Sequence, residues 1–310
     1  MRGASSSHTP EHREEIAMIR LASGLLAGLL LAAPASAATV ETALRPVTVG
    51  QVPERVAVFD IAALDTLTAL GVRVDGAPVQ TFVPGLADLD AAPVGTIFEP
   101  DLEALSALAP DLVIAGGRSS PQVKALSQVA PTLDMTIGPD LIGDARQRLA
   151  AYGTLFGLEA EAERLDAALG AKLDELAAAA EGKGSLLILL TNGPKMSAFG
   201  RGSRFGWLHE ATGMPEAVPE LEAATHGDAV SFEFIARTNP DWLFVIDRGA
   251  AIGAEGASAR AVLDNPLVRD TTAWTSGQVV YLDPAEVYVA GGGYRSLMGT
   301  LEDLVTALDR

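Results

Sequence analysis

The chain has 310 residues, with 22 basic and 40 acidic side chains, a formal net charge of −18 and no cysteine. The acidic balance excludes an overall basic surface for nucleic acid, and the lack of cysteine excludes disulfide bonds. A chain of this length is expected to form two domains and to bury a core that is stable without cross-links.

The first 37 residues are predicted to be a leader that is removed on export. Arg20 supplies a short positive region, residues 21–33 are apolar, and Ala35-Ser36-Ala37 matches a signal-peptidase site. The apolar segment is short for a membrane span, and no cysteine is available for a lipid anchor. We interpret the polar residues 1–17 as an upstream start rather than a longer positive region. We therefore expect cleavage after Ala37 and a free periplasmic protein.

After the leader, apolar runs alternate with amphipathic segments, the pattern of an α/β fold. Strands are predicted at 56–59, 132–137, 185–190 and 278–282, and helices at 61–70, 121–129, 140–156, 262–267 and 294–308. The longest helical pattern spans 158–181 and has leucines at 165, 169, 173 and 176 in one stripe. Its length of about 35 Å suits a helix between two lobes, and equally an amphipathic core helix.

One sequence unit occurs twice, at an offset of 130 residues, in Asp101–Arg118 and Ser231–Arg248. Each copy has a helix-capping residue, a glutamate in the first turn, a Pro-Asp pair, a buried strand and a final arginine. The glutamates are Glu103 and Glu233. This agreement in one register predicts two similar α/β lobes.

Arginine follows an apolar strand at three places, Arg118, Arg204 and Arg248. Ligands of open α/β sheets bind outside the carboxyl ends of the strands, so a cleft between two lobes could receive these side chains. Each one alone is better explained by a surface salt bridge. Together, in an acidic chain, they indicate a site for carboxylate, catecholate or phosphate oxygens. The segment 200–206 lacks the dinucleotide-binding pattern, and its glycines are expected to present Arg201 or Arg204.

His226 and Tyr288 lie in predicted loops, where imidazole and phenolate could both bind ferric iron. A solvated loop histidine is the simpler alternative for His226. A hydrolase would pair His226 with Asp228 and a serine, but no G-x-S-x-G motif supports it. A zinc site would need three or four ligands, which the histidines after the leader, His209 and His226, cannot supply.

The chain resembles the substrate-binding proteins of ABC importers for iron–siderophore complexes, especially ferric-catecholate binders of the petrobactin and enterobactin-fragment type. The resemblance covers nearly the whole chain after the leader. Its most specific parts are the block from THG through SFE to VIDRG and the later Y-x-x-GGG. The matching segments are 53–72, 99–118, 203–213, 225–253 and 281–293.

This resemblance implies two similar α/β lobes joined by a single long helix, with the ligand cleft between the lobes. The implied parts are an N-terminal lobe at 38–157, a linking helix at 158–182 and a C-terminal lobe at 183–310. It also implies that a histidine and a tyrosine, here His226 and Tyr288, complete the iron shell when the siderophore offers only four donors.

By the same resemblance, Arg118, Arg204 and Arg248 line the cleft, and Glu103 and Glu233 dock on an inner-membrane ABC permease. The expected protein is a monomer without enzymatic activity or a permanent cofactor, and its transported ligand is a ferric siderophore. The alternatives are a haem-binding protein of the same fold, a cobalamin binder and a secreted hydrolase using His226.

Overall fold

Two five-stranded sheets, formed by successive halves of the chain, carry the fold. The computed structural model describes residues 37–221 and 226–310. The predicted leader up to Ser36, and Thr225 at the start of the matching segment 225–253, lie outside the described residues. Within the described residues, no helix has both the length and the apolar character needed to cross a membrane.

The first half begins with a two-stranded hairpin and then forms an all-parallel sheet in the order β5-β4-β3-β6-β7. Its elements are β1 (Ala38–Val40), β2 (Val47–Val49), β3 (Val56–Val58), α1 (Ile61–Ala69), β4 (Gly76–Ala77), β5 (Ala92–Pro93), α2 (Leu102–Leu108), β6 (Leu112–Ala115), α3 (Val123–Leu126), β7 (Thr132–Asp134) and α4 (Leu141–Phe156).

The second half forms a sheet in the order β10-β9-β8-β11-β12, in which β9 runs antiparallel to its neighbours. Helix α5 (Glu159–Ala180) precedes it. The further elements are β8 (Leu186–Asn192), β9 (Lys195–Phe199), α6 (Trp207–Thr212), β10 (Asp228–Val230), α7 (Phe232–Thr238), β11 (Trp242–Asp247), α8 (Arg248–Ala251), α9 (Ala259–Leu263), α10 (Pro266–Arg269), α11 (Thr272–Thr275), β12 (Val279–Tyr281), α12 (Pro284–Tyr288) and α13 (Tyr294–Leu308).

The repeated sequence unit forms the same structure in both halves, as predicted. Asp101 caps α2 by accepting hydrogen bonds from backbone N–H groups, and Ser231 caps α7 in the same way. Both helices end in a left-handed residue, Ala109 with φ 49° and Asn239 with φ 45°.

The aspartates of the two Pro-Asp pairs also have one role. Asp111 accepts hydrogen bonds from the backbone just before β3, and Asp241 accepts one from Ser185 just before β8. Each therefore joins the start of its own strand to the start of the neighbouring strand. In both halves this pair of strands is the buried centre of the sheet.

Helix α5 joins the two lobes, which confirms the predicted architecture of two α/β lobes and one long helix. The C-terminal helix α13 packs against α5 and also against α1 of the first half. Asp65 and Thr66 of α1 accept hydrogen bonds from the backbone N–H groups of Ser296 and Tyr294, at 3.0 and 3.1 Å. Two side chains of the first half therefore cap the start of α13. The exact lobe boundaries remain a prediction.

Two local predictions were wrong. The predicted helix at 262–267 is two short helices, because Pro266 lacks an N–H group and begins a new helix capped by Asn265. Tyr288 is the last residue of α12 rather than part of a loop, and the loop begins at Val289. The strand β10, the hairpin β1–β2 and the antiparallel direction of β9 were not predicted, because strands of three residues carry little periodicity and strand direction is not visible in a single sequence.

Candidate functional site

A cavity of about 480 Å³, here called the main cavity, lies between the carboxyl ends of the two sheets. Residues of both halves line it, among them Phe59, Asp60 and Arg118 from the first and Arg204 and Tyr288 from the second. The structure therefore places a cleft where the topology of open α/β sheets predicts a ligand.

Three guanidinium groups converge on Tyr288 from three separate segments of the chain. Arg118 and Arg204 each donate from Nη2 to its backbone carbonyl oxygen, at 2.8 and 2.7 Å. Arg248 donates from Nε to the phenol oxygen at 2.9 Å. All three also lie over the aromatic ring, at 5.0, 4.2 and 5.8 Å from its centroid. We call Arg118, Arg204 and Arg248 the arginine cluster.

Local structure fixes each member of the arginine cluster. Arg118 follows β6 through a glycine turn in which Gly117 has a φ of 53°, a left-handed conformation that favours glycine. Arg248 begins α8 directly after β11, and its Nη1 also donates to Asn192 at 3.2 Å. Arg204 follows a turn closed by Ser203, whose hydroxyl donates to the Gly200 carbonyl.

The structure resolves the choice between Arg201 and Arg204. The Arg201 side chain donates to the carbonyl groups of His209 and Met214 and forms an ion pair with Glu216. It therefore ties the turn to α6 and the following loop, whereas Arg204 lines the main cavity.

Burial and the clustered guanidinium groups shift the pKa values of Arg204 and Tyr288. Burial lowers the pKa of Arg204 below its ordinary value, and the charge of Arg118 lowers it further. Burial alone would raise the pKa of Tyr288, but hydrogen bonds from Arg248 and Arg204 outweigh it and lower that pKa. The phenol is therefore easier to deprotonate than a free tyrosine. A site of this kind favours an anion.

His226 lines a side cavity of about 210 Å³ that extends the cleft into the second half. Arg204, Phe205 and Tyr288 line both cavities, and Arg248 lines the side cavity. The next residue, Gly227, has a φ of 67°, and a Cβ there would lie 2.5 Å from the carbonyl oxygen of Ala198. The glycine lets this loop pack closely on β9. The structure thus brings His226 and Tyr288 to the same side cavity.

Glu103 and Glu233 lie away from both cavities, in the first turns of α2 and α7, and both are exposed. A hydrogen bond with the Ser231 side chain lowers the pKa of Glu233. The two glutamates therefore occupy equivalent outer positions, one on each lobe.

Sequence reasoning missed Asp60 and the apolar wall of the main cavity. Asp60 follows β3, so the rule that ligands bind at the carboxyl ends of strands would have found it. In the structure its Oδ1 accepts a hydrogen bond from Ala63 N at 2.8 Å and so caps the start of α1. Among the described residues, no group of three or more His, Cys, Asp or Glu could hold a metal ion.

The sequence pattern of the family described as periplasmic binding protein matches residues 56–286. The chain is 36% identical over 266 residues to the petrobactin-binding protein YclQ of Bacillus subtilis, an alignment that covers 83% of each chain. It is 33% identical over 267 residues to the ferric-anguibactin-binding protein FatB of Vibrio anguillarum, with 82% of each chain covered.

Solved structures agree with these similarities. The crystal structure of YclQ matches with a TM-score of 0.83 at 34% identity, covering 89% of this chain and 99% of that one. The structure of the periplasmic catecholate-siderophore binding protein VctP of Vibrio cholerae matches with a TM-score of 0.79 at 28% identity, covering 87% and 99%. With its two lobes, long linking helix and shared cleft, this chain belongs to the periplasmic binding protein family.

Proposed function

We propose that the protein captures an anionic ferric siderophore of the catecholate type in the cleft and delivers it to an inner-membrane ABC permease. The arginine cluster is the observation that carries this proposal. A ferric catecholate complex is an anion whose oxygens suit guanidinium donors, and a partly dry cleft strengthens the attraction. The names of YclQ, FatB and VctP, which all refer to siderophores, support this ligand class.

His226 and Tyr288 complete the iron shell when the siderophore supplies only four oxygen donors. Both line the side cavity, and the arginine cluster favours the phenolate form of Tyr288. Imidazole and phenolate are suitable ligands for ferric iron. A siderophore with six donors needs neither residue.

Glu103 and Glu233 dock on the permease from the two lobes. Their exposure and their equivalent positions outside the cleft support this role. The protein acts in the periplasm as a monomeric binding protein, without catalysis and without a permanent cofactor.

The testing experiment is a titration of the purified protein with a panel of ferric catecholates, ferric hydroxamates and haemin, followed by intrinsic fluorescence and visible absorption. Preferred binding of ferric catecholates, with a broad visible charge-transfer band, is expected. Preferred binding of haemin, with a Soret band, would instead assign the cleft to haem. Turnover of ester or phosphate substrates that depends on His226 would indicate a hydrolase.

A further inference from the structure

Phe98 is the only exposed aromatic side chain in residues 37–221 and 226–310, with 58% of its surface accessible. It lies in the turn between the edge strand β5 and helix α2. Its neighbour Ile97 lines the main cavity, but Phe98 lines neither the main nor the side cavity. Along the chain, Phe98 therefore stands between a residue of the cleft and Glu103, the exposed glutamate of the first lobe.

The turn holds Phe98 in a fixed position. The Thr96 hydroxyl accepts a hydrogen bond from the N–H group of Phe98 at 3.2 Å, and Gln122 donates to the Phe98 carbonyl oxygen at 3.0 Å. Gly95 has a φ of 97°, and a Cβ there would collide with the backbone nitrogen of Asp101. A turn that is already ordered loses little conformational entropy when a partner covers the aromatic ring.

A second exposed apolar side chain lies beside this turn. The N–H group of Val79 donates to the carbonyl oxygen of Gly95 at 2.9 Å, and 65% of the Val79 surface is accessible. Val79 also lines a surface recess of about 500 Å³ next to β5, whose walls include Pro78 and Phe82. We call Phe98 and Val79 the apolar patch. Exposed apolar side chains of this kind, next to a recess, are typical of an interaction surface.

The charges around the apolar patch restrict the partner. Glu99 and Glu103 are exposed, and the segment between Arg73 and Arg118 contains no basic side chain. These carboxylates would be repelled by an anionic lipid surface, and in a symmetric dimer of this protein the two acidic rims would face each other. A protein surface that surrounds an apolar contact with basic groups complements the patch.

We propose that the apolar patch docks on the inner-membrane ABC permease beside Glu103, with the ring of Phe98 buried in the contact. Glu103 supplies the ionic part of this contact and Phe98 the apolar part. This inference rests on the proposed function, because it extends the docking role of Glu103. At the offset of the repeated unit, Asp228 corresponds to Phe98, so the aromatic contact is specific to the first lobe.

The test measures iron uptake and ligand affinity for the same variants. The gene is deleted in the native host and supplied at limiting expression, and uptake of radiolabelled iron is measured with the ferric catecholate that binds most tightly in the titration panel. Phe98→Ser is compared with the conservative variant Phe98→Leu, and Leu44→Ser is the matched control. Leu44 is 74% exposed, and its neighbour Ala43 donates to Asp134 of β7, the opposite edge of the sheet from β5.

We expect Phe98→Ser to lower the uptake rate about tenfold, the scale of one aromatic side chain buried at an interface, and to leave ligand affinity unchanged. Phe98→Leu should keep most of the uptake, and Leu44→Ser should match the wild type. Normal uptake by Phe98→Ser, an equal loss in Leu44→Ser, or a fall in the ligand affinity of Phe98→Ser would overturn the inference.

Photo-cross-linking in the same cells identifies the partner directly. With Phe98 replaced by the photoreactive amino acid benzoylphenylalanine, a cross-link to an ABC permease subunit, identified by mass spectrometry, is expected. Cross-linking to a second copy of this protein instead of the permease would overturn the inference. If deletion of the gene leaves the uptake of every ferric catecholate unchanged, the proposed function itself is contradicted.

Discussion

The Nε–H group of Arg248 donates to the hydroxyl of Tyr288 at 2.9 Å, while Arg118 and Arg204 bind the backbone carbonyl of the same tyrosine. One residue at the end of α12 thus receives hydrogen bonds from three separate segments of two lobes. In the free protein Tyr288 holds the arginine cluster together and offsets the repulsion among its charges. An anionic ligand can therefore meet an arrangement of donors that is already formed.

Replacing Arg248 by Ala is expected to weaken binding of an anionic ferric catecholate by roughly 1–3 kcal/mol, the scale of a charge-assisted contact. A neutral ferric hydroxamate should lose much less affinity, because it carries no net charge to attract the guanidinium group. Fluorescence titration of both ligand classes measures the difference. Arg237→Ala is the matched control, since this exposed arginine lies in the last turn of α7 outside both cavities. Equal losses for both ligand classes would contradict the role of the arginine cluster.

Ligand denticity tests the proposed iron contacts. His226→Ala and Tyr288→Phe should strongly weaken complexes of four-donor siderophores and leave six-donor complexes little changed, because the latter fill the iron shell themselves. Tyr288→Phe should also remove the phenolate share of the visible charge-transfer band. Tyr281→Phe is the control, because Tyr281 contacts Arg260 outside both cavities. A crystal structure of the complex with water at both remaining iron positions would assign His226 and Tyr288 to hydrogen bonding alone.

The parts of the site that the sequence predicted are those that follow regular elements. Arg248 comes directly after a buried strand of the repeated unit and Arg118 follows one through two glycines, so strand order alone places them at the cleft. Arg204 follows a turn whose conformation depends on contacts with α6, and so the glycines of the turn alone left Arg201 as an alternative to it. Tyr288 was expected in a loop, because its position in a five-residue helix depends on tertiary packing rather than on periodicity. Asp60 was missed because a single aspartate between a strand and a helix is an ordinary capping residue and carries no separate signal of a place in a cavity.

Transport tests the two exposed glutamates independently of the cleft. Replacing both Glu103 and Glu233 by Ala should abolish siderophore-dependent iron uptake in cells and leave ligand affinity unchanged, because both lie away from the cavities. The matched control replaces Glu163 and Glu210, two other exposed glutamates, and should preserve uptake. Normal uptake in the first variant, or a fall in its ligand affinity, would show that the docking assignment is wrong.

The contact between α1 and α13 predicts how stability depends on pH. Asp65 is 2% exposed, and its Oδ2 accepts a hydrogen bond from Ser296 at the start of α13. Burial raises the pKa of this carboxyl from 3.8 to about 6, although hydrogen bonds from the backbone of Ser296 and Arg295 lower it. At pH values between 3.8 and about 6, the folded state therefore keeps a proton that the unfolded state has already released.

Because the folded state binds more protons in this range, the contribution of Asp65 is fully present below about pH 4 and is lost as the pH rises through about 6. The loss is on the order of 3 kcal/mol. Denaturant unfolding at several pH values should show that Asp65→Asn, whose amide can still accept the hydrogen bond from Ser296, removes this part of the pH dependence. Asp309→Asn, the same change at an exposed position, should leave the wild-type dependence intact. If Asp65→Asn and the wild type lose stability in parallel as the pH rises, Asp65 is ionised in the folded protein throughout, and the assignment fails.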